Sequence, residues 1–174
     1  MSFAEQLYRS LDDLDQRFEA SPPGEGDLET ILAEYLREVE AASDTELLTS
    51  ILLLDESGEH LLHGAAPSLP KPYCNAIHGI AIGPEVGSCG TAAFVGHSIY
   101  VTDIATDPLW ANFRDLALEH DLRACWSTPI FNKANDLIGT FAIYYREPRA
   151  PLGEELEAVK AISHRVAHAV EAHR

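Results

Sequence analysis

The chain has 174 residues, 46% of them apolar and 23% charged, a balance typical of one globular domain with a single core. Its 12 Lys and Arg against 28 Asp and Glu give a formal net charge of −16, which repels phosphate backbones and anionic lipids and so argues against nucleic-acid and membrane partners. Three scattered cysteines and an acidic N-terminus are unlike a secreted disulfide framework or a signal peptide, which predicts a cytoplasmic protein with reduced thiols.

An amphipathic helix is predicted at the N-terminus. Ser2 to Glu5 has the form of a capping box, in which the hydroxyl and the carboxylate each accept a hydrogen bond from a free backbone N–H. Apolar residues then recur every three or four positions as far as Phe18, which indicates one buried stripe. The Pro- and Gly-rich segment 21–26 ends this helix.

A second helix begins after that segment. Asp27 is in position to cap it, and its apolar stripe extends to Val39. We therefore divide the chain into an N-terminal amphipathic helix and loop, residues 1–26, and a folded domain, residues 27–174.

The middle of the chain alternates between strands and short helices. Runs at 47–54 and 60–65 flank a polar turn with Gly and predict a hairpin. The remaining predicted elements, in order, are a loop with a short helix (69–81), a Gly-rich turn (83–90), one or two helical turns (91–95), a strand (98–104), a helix (107–120), two strands (123–131 and 137–145) and a long helix (152–172). Strands grouped as hairpins with helices at the termini predict an α+β fold built on an antiparallel sheet.

Five segments carry a resemblance to a known family. They are GSCGTAA (87–93), VTDI (101–104), DPLW (107–110), RACWSTPI (123–130) and GTFAIYY (139–145). In this order and spacing they resemble the GAF family, most closely the subgroup that accompanies PAS domains, histidine kinases and diguanylate cyclases in bacterial signalling.

The resemblance implies a GAF-like (PAS-like) central antiparallel sheet of five to six strands. Terminal helices would cover one face, and helices and loops would close a pocket on the other. It also implies a cytoplasmic sensor that binds an unidentified small molecule and forms a homodimer through its terminal helices. Ligand occupancy would pass to the dimer partner or to a separate effector, such as a histidine kinase or diguanylate cyclase. The cofactor is unknown, and none is required.

Candidate pocket residues come first from the Gly-rich turn and from strand 123–131. Ser88, Cys89 and Thr91 lie where free N–H groups at a helix start can receive an anion or carbonyl, although a tight loop needs the same glycines. Cys125 and Ser127 share one face of their strand, opposite Trp126 and Thr128. The sequence leaves open which of these faces lines the pocket, and it favours a structural role for Trp126.

Further candidates lie at loop and helix boundaries. Asp103 and Asp107 either bind a ligand amine or cap helices and bridge loops, and capping is favoured. Trp110 either closes the pocket or packs in the core. His78 and His120 border the presumed pocket.

No metal site is predicted. The helical pair His164 and His168 lacks both the glutamate of a His-Glu-x-x-His motif and a third nearby ligand.

No enzyme activity is predicted, and the reason lies in the cysteines. Cys89 stands in a Gly-Ser-Cys-Gly that is similar to the free methionine-(R)-sulfoxide reductases of the GAF family. The catalytic cysteine of that group, in a Cys-Asp context, has no counterpart in 107–122. Cys74, Cys89 and Cys125 are therefore expected to be small buried hydrophobes. Two alternatives stay open, an interaction or dimerisation module with a vestigial pocket and the sulfoxide reductase.

One departure from the family pattern concerns Asp121, where the family often has Gly after a helix. A left-handed residue at a helix end suits Gly better than Asp. The sequence therefore predicts a different end for this helix.

Overall fold

A computed structural model describes residues 2–19 and 27–173. The predicted loop at 21–26, and with it the proposed boundary at residue 26, lies outside the described residues, as does the side chain of Phe18.

The described residues form six α-helices and six strands. The helices are α1 (Phe3–Glu19), α2 (Leu28–Ala42), α3 (Lys71–Ile77), α4 (Cys89–Val95), α5 (Arg114–Glu119) and α6 (Gly153–His173). The strands are β1 (Leu48–Leu54), β2 (His60–Ala65), β3 (Ile80–Ala81), β4 (Ile99–Val101), β5 (Ala124–Phe131) and β6 (Leu137–Tyr145). They make one antiparallel sheet in the order β3-β2-β1-β6-β5-β4, which confirms the predicted fold class.

The sheet separates two hydrophobic cores. Because strand side chains alternate between faces, Ile51, Trp126 and Ile143 point to a core shared with α1, α2 and α6. Leu52 and Tyr144 point to a second core under α3, α4 and α5. The terminal helices therefore occupy one face and the short middle helices the other, as predicted.

The N-terminal helix is part of the first core. The capping box is made in full, since Ser2 N donates to Glu5 Oε2 at 3.1 Å and Glu5 N donates to Ser2 Oγ at 3.2 Å. Along the predicted stripe, Leu7, Leu11 and Leu14 are buried. Burial of three leucines stabilises the contact of α1 with α2 and α6 by several kcal/mol, at roughly 1.5–3 kcal/mol each.

The predicted side-chain cap of α2 is not made. Asp27 occupies the N-cap position with extended backbone, but its carboxylate accepts no hydrogen bond from a helix N–H. It accepts instead from Thr30 Oγ1 at 3.4 Å.

The single helix predicted over 107–120 is wrong. The chain forms a 3₁₀ turn at Pro108–Trp110 and then α5, with Phe113 between them in a non-helical conformation. The guanidinium of Arg114 explains the break, because it donates to the carbonyls of Ile104 at 3.1 Å and Asp107 at 2.8 Å and holds the chain in a tight bend.

Two further segments differ slightly from the prediction. The strand expected at 98–104 covers only Ile99–Val101, because the next carbonyl, that of Thr102, accepts from Arg149 N at 3.0 Å and leaves the sheet ladder. The loop at 69–81 holds the predicted short helix and adds the two-residue strand β3. Within residues 2–19 and 27–173, no helix combines the length and apolar character needed to cross a bilayer.

Candidate functional site

The packing of β5 shows which of its two faces lines the candidate site. Cys125 faces the second core, and Ser127, two residues on, shares that face. Trp126 faces the terminal helices, where its Nε1 donates to Arg149 O at 2.9 Å and its ring packs on Tyr145 with centroids 4.8 Å apart. Trp126 therefore has the structural role that the sequence favours.

The second core is covered by four elements, α3, α4, the 3₁₀ turn and α5. We call these four elements together the cover. Ser88 joins the cover to strand β5 of the sheet. Its Oγ donates to Cys125 O at 2.8 Å and accepts from Trp110 Nε1 at 3.1 Å. Because Ser88 and Trp110 are both buried, these hydrogen bonds fix the start of α4 and the 3₁₀ turn against β5.

The Gly-rich turn is shaped by close packing. Gly87 has a φ of +59°, and a Cβ at this position would lie 3.3 Å from the Trp110 ring. Gly87 N donates to Leu109 O at 2.8 Å, and Thr91 Oγ1 donates to Gly87 O at 2.6 Å. Thr91 Oγ1 also accepts from Val86 N at 3.0 Å. The Thr91 hydroxyl is therefore used within the turn, whereas the Ser88 hydroxyl is used by Cys125 and Trp110.

A cavity of about 20 Å³ lies between the cover and the sheet. None of its lining residues is an Asp, Glu, His, Lys or Arg. The lining residues are Leu52, Tyr73, Ile77, Ile80, Val86, Gly87, Ser88, Cys89, Trp110, Phe113 and Tyr144. This volume holds about one water molecule, whereas ligand pockets span roughly 300–1,000 Å³. Between the described residues of the cover and the sheet, the space is therefore much smaller than the largely preformed pocket expected from the sequence.

Aromatic side chains account for the small volume. Tyr73 on α3 and Tyr144 on β6 meet edge to face at 5.7 Å, and their hydroxyls hydrogen-bond at 3.0 Å. Both are fully buried, and burial raises the pKa of each phenol well above its ordinary value. Together with Trp110 they fill the space between cover and sheet.

The two cysteines of the site lie together. Cys89 begins α4 and Cys125 lies on β5, and both are buried and reduced in the same core. The Cys125 thiol is the main cause that lowers the pKa of the Cys89 thiol to about 7, and the nearby hydroxyls of Ser127, Thr140 and Tyr144 lower it further. Burial raises the pKa of Cys125 well above its usual range, and the neighbouring Cys89 raises it further. The cysteines are buried in a hydrophobic core, as expected, and hydroxyl groups lie near Cys89.

Three hydroxyls on this face of the sheet have no hydrogen-bond partner in the described structure. They are Ser50, Ser127 and Thr140, on three adjacent strands, and each is at most 2% exposed. Buried hydroxyls are normally satisfied by protein or water. These groups do not line the cavity, but they leave unused hydrogen-bonding capacity on the same face of the sheet.

The remaining candidates lie away from the cavity. Asp103 Oδ1 accepts from Ala105 N at 3.0 Å and from the Arg123 guanidinium at 3.3 Å, and so bridges loops. Asp107 Oδ1 accepts from Leu109 N at 2.9 Å and caps the 3₁₀ turn. Both acids have the capping and bridging roles that the sequence favours.

The two histidine candidates do not line the cavity. His78 is exposed, and its Nδ1 accepts from His63 N at 2.9 Å. His120 is half-buried, with its ring against the edge of Tyr73 at 6.0 Å. Among residues 2–19 and 27–173, no group of three or more His, Cys, Asp or Glu is arranged to hold a metal ion.

The helix that precedes Asp121 does not end as the sequence predicts. Asp121 adopts a left-handed φ of +63°. Leu122 N donates to Ala117 O and Asp121 N to Leu118 O, both at 3.0 Å. This is the Schellman pattern that Gly would give, so the prediction of a different helix end is wrong.

Sequence reasoning missed several residues of the site. Tyr73, Tyr144, Ser50 and Thr140 were not among the candidates. The alternation within 137–145 was the available signal, because it places Thr140 and Tyr144 on one face once β6 pairs with Cys125 of β5.

Comparison with known proteins identifies the family. A family model of the GAF domain matches residues 25–171, and the chain therefore belongs to the GAF family. The methyl sulfide methyltransferase-associated sensor of Methanosarcina acetivorans is 38% identical over 141 residues, which are 81% of this chain. The chain spans 14% of the length of that relative. The narrower assignment to a bacterial signalling subgroup stays a prediction.

Solved structures share the fold at low identity. A Burkholderia vietnamiensis protein named as a GAF sensor superposes with a TM-score of 0.77 at 22% identity, covering 100% of this chain and 99% of that one. The free methionine-R-sulfoxide reductase of Neisseria meningitidis superposes with a TM-score of 0.74 at 16% identity, covering 100% and 93%. At these identities the likeness concerns architecture.

Proposed function

We propose that this chain is a cytoplasmic sensory domain that binds a small uncharged molecule between the cover and the sheet. The observation that carries the proposal is the composition of the space between them. The cavity lining holds no charged side chain, and the adjoining strand face carries three unpartnered buried hydroxyls. An anionic ligand would lose its hydration there without a compensating positive charge. A neutral molecule with hydrogen-bonding groups suits the wall better.

Entry of such a ligand requires the cover to move. The cavity is far smaller than a metabolite, while the cover consists of helices of seven residues or fewer and a three-residue turn. Short helices gain little stability from their own hydrogen bonds and depend on packing. Ligand would therefore select a minor open state of the cover.

A route from the site to the terminal helices runs through β6. Tyr144 lines the cavity, and the next residue, Tyr145, faces the opposite core. Tyr145 OH donates to Glu155 Oε2 at 3.2 Å, and Arg149 donates to the same oxygen at 2.8 Å. Because Glu155 lies in the first turn of α6, displacement of Tyr144 would bear directly on the start of that helix.

The proposed receiver is a second copy of the chain or a separate effector, such as a histidine kinase or diguanylate cyclase. The inner stripe of α6 is not available for this contact, because Val159 and Val166 are buried in the chain's own core. We place the contact on the outer faces of α1, α2 and α6. Sedimentation of the chain as a monomer, with and without ligand, would contradict the homodimer.

A thermal-shift screen tests the ligand proposal. We expect at least one uncharged metabolite to raise Tm saturably. Ile80→Trp, which fills the cavity from β3, should abolish that rise. Ile138→Trp is the matched control, because Ile138 is also a half-buried strand isoleucine but packs against the terminal helices, and it should retain the rise.

Three results would contradict the proposal. The first is a screen in which only charged compounds bind, and the second is binding that survives Ile80→Trp. The third is turnover of free methionine-(R)-sulfoxide with a thiol reductant, dependent on Cys89, which would make the chain a reductase.

A further inference from the structure

Two buried cysteines lie in one core where α4 meets the sheet. Cys89 is the first residue of α4, and Cys125 lies on the inner face of β5. The hydrogen bond from Ser88 Oγ to Cys125 O, 2.8 Å long, holds the chain immediately before Cys89 against β5. Cys89 is 6% exposed and Cys125 is fully buried. The pair is therefore fixed in position by the packing around it.

The surroundings of Cys89 suit a thiolate. The hydroxyls of Ser127 and Thr140 lie beside its sulfur, are fully buried, and have no other hydrogen-bond partner in the described structure. A neutral thiol is a weak acceptor, whereas a thiolate is a strong one. Ionisation of Cys89 would thus satisfy two hydroxyls that are otherwise unpartnered, at positions where an unmade hydrogen bond is costly.

The pKa values of the two thiols are shifted in opposite directions, so the two cysteines have different roles in a reaction. The pKa of Cys89 is lowered towards neutrality, chiefly by the Cys125 thiol, while burial keeps Cys125 protonated. Cys89 also lines the cavity of about 20 Å³. That space admits a reagent close to water in size, such as hydrogen peroxide, and excludes bulky oxidants.

We propose that Cys89 and Cys125 form a reversible dithiol–disulfide pair, in which Cys89 reacts with a peroxide and Cys125 resolves the product. The proposal needs no bound metabolite, so it stands or falls separately from the ligand-sensing function. It assigns a modification site to residues that otherwise only fill the core.

The chemistry is balanced with peroxide as the oxidant. The Cys89 thiolate attacks one peroxide oxygen, the O–O bond breaks, and a hydroxide leaves and takes a proton to become water. Cys89 is then a sulfenic acid. The sulfur of Cys125 attacks the sulfur of Cys89, the S–O bond breaks, and the departing hydroxide takes the Cys125 proton. The sum is two thiols and one hydrogen peroxide giving one disulfide and two waters.

Peptide mapping tests the proposal on the unmodified chain. The reduced protein is treated with one equivalent of hydrogen peroxide, unfolded, alkylated with iodoacetamide and digested with trypsin and a glutamate-specific protease. Cleavage after Glu85 separates Cys74 from Cys89, and cleavage after Arg123 separates Cys89 from Cys125. We expect the Cys89 and Cys125 peptides to be joined with the loss of two hydrogen atoms and to separate again with dithiothreitol.

Cys74 is the matched control. It is also a buried free cysteine, and burial raises its pKa. Cys74 should stay alkylated in the wild type, and Cys74→Ser should form the same disulfide. Cys89→Ser and Cys125→Ser should not. The proposal is overturned if Cys74 is oxidised as fast as Cys89, if the disulfide joins Cys74, or if Cys89 proceeds to sulfinic acid without a link.

The hydroxyls provide a second test that depends on pH. The titratable groups that interact with Cys89 are Cys125, Tyr73 and Tyr144. Ser127→Ala should slow the peroxide reaction of Cys89 by about threefold at pH 7, and much less at about pH 9.5, where the thiol ionises unaided. An equal slowing at both pH values would show that Ser127 acts only through packing, and would contradict a hydroxyl-stabilised thiolate.

Discussion

Asp121 is a residue whose backbone conformation has an energetic cost. Left-handed backbone costs about 1–2 kcal/mol for most residues, less for Asp, and nothing for Gly. The Asp121 side chain is exposed, so its loss removes no packing. Asp121→Gly should raise the free energy of unfolding by about 0.5 kcal/mol, and Asp121→Val should lower it by about 1–2 kcal/mol. Urea denaturation measures both.

Asn135 provides the control for this prediction. It has a φ of +66° in the turn between β5 and β6 and is also exposed, so Asn135→Gly should behave like Asp121→Gly. An Asp121→Val protein as stable as the wild type would show that this helix end tolerates another conformation.

The alternation of side chains along β5 could be predicted from the sequence, but the face that meets the cover could not. The period of two correctly places Cys125 and Ser127 on one face and Trp126 on the other. Which face meets the cover depends on how distant segments pack. The contact between Tyr73 and Tyr144 spans 71 positions in the chain, and no local pattern predicts that two tyrosines fill the site.

At the scale of elements, periodicity predicted the long helices and the hairpins, whose patterns are strong. It failed over 107–120, where a capping residue and Pro indicated one helix. The hydrogen bonds from Arg114 to the carbonyls of Ile104 and Asp107 divide the segment. A side chain that binds carbonyls outside its own helix is a tertiary effect, which helix propensity does not contain.

The close pairing of β1 with β6 depends on Gly139. A Cβ on Gly139 would lie 2.2 Å from Leu52 O, a backbone atom that cannot move aside cheaply. Gly139→Ala should therefore lower the free energy of unfolding by roughly 2–4 kcal/mol. Chemical denaturation followed by circular dichroism measures the change.

Gly153 at the start of α6 is the matched control, because nothing lies within 4 Å of the position of its added Cβ. Gly153→Ala should be neutral or stabilising by up to about 1 kcal/mol. Equal losses at the two glycines would show that the clash at Gly139 relaxes and that the strand pairing does not depend on it.

On the scale of the whole molecule, the sheet separates a layer of long helices from a layer of short helices and turns. The long helices α1, α2 and α6 bury a continuous apolar core on one face. The cover on the other face is a set of short helices and turns joined by a few hydrogen bonds, chiefly at Ser88 and Trp110. The family and architecture followed from the sequence, but the near absence of a cavity did not. Sensing of a small molecule by this chain therefore requires opening of the cover.

Hydrogen–deuterium exchange of the ligand-free chain tests that requirement most directly. Amides in α3, α4 and α5 should exchange through openings of the cover alone, at least about tenfold faster than those of β1, β5 and β6, equivalent to ~1.4 kcal/mol or more. Exchange of the cover as slow as that of the central strands, released only by global unfolding, would mean that the site does not open in the native state and would contradict the proposed sensory function.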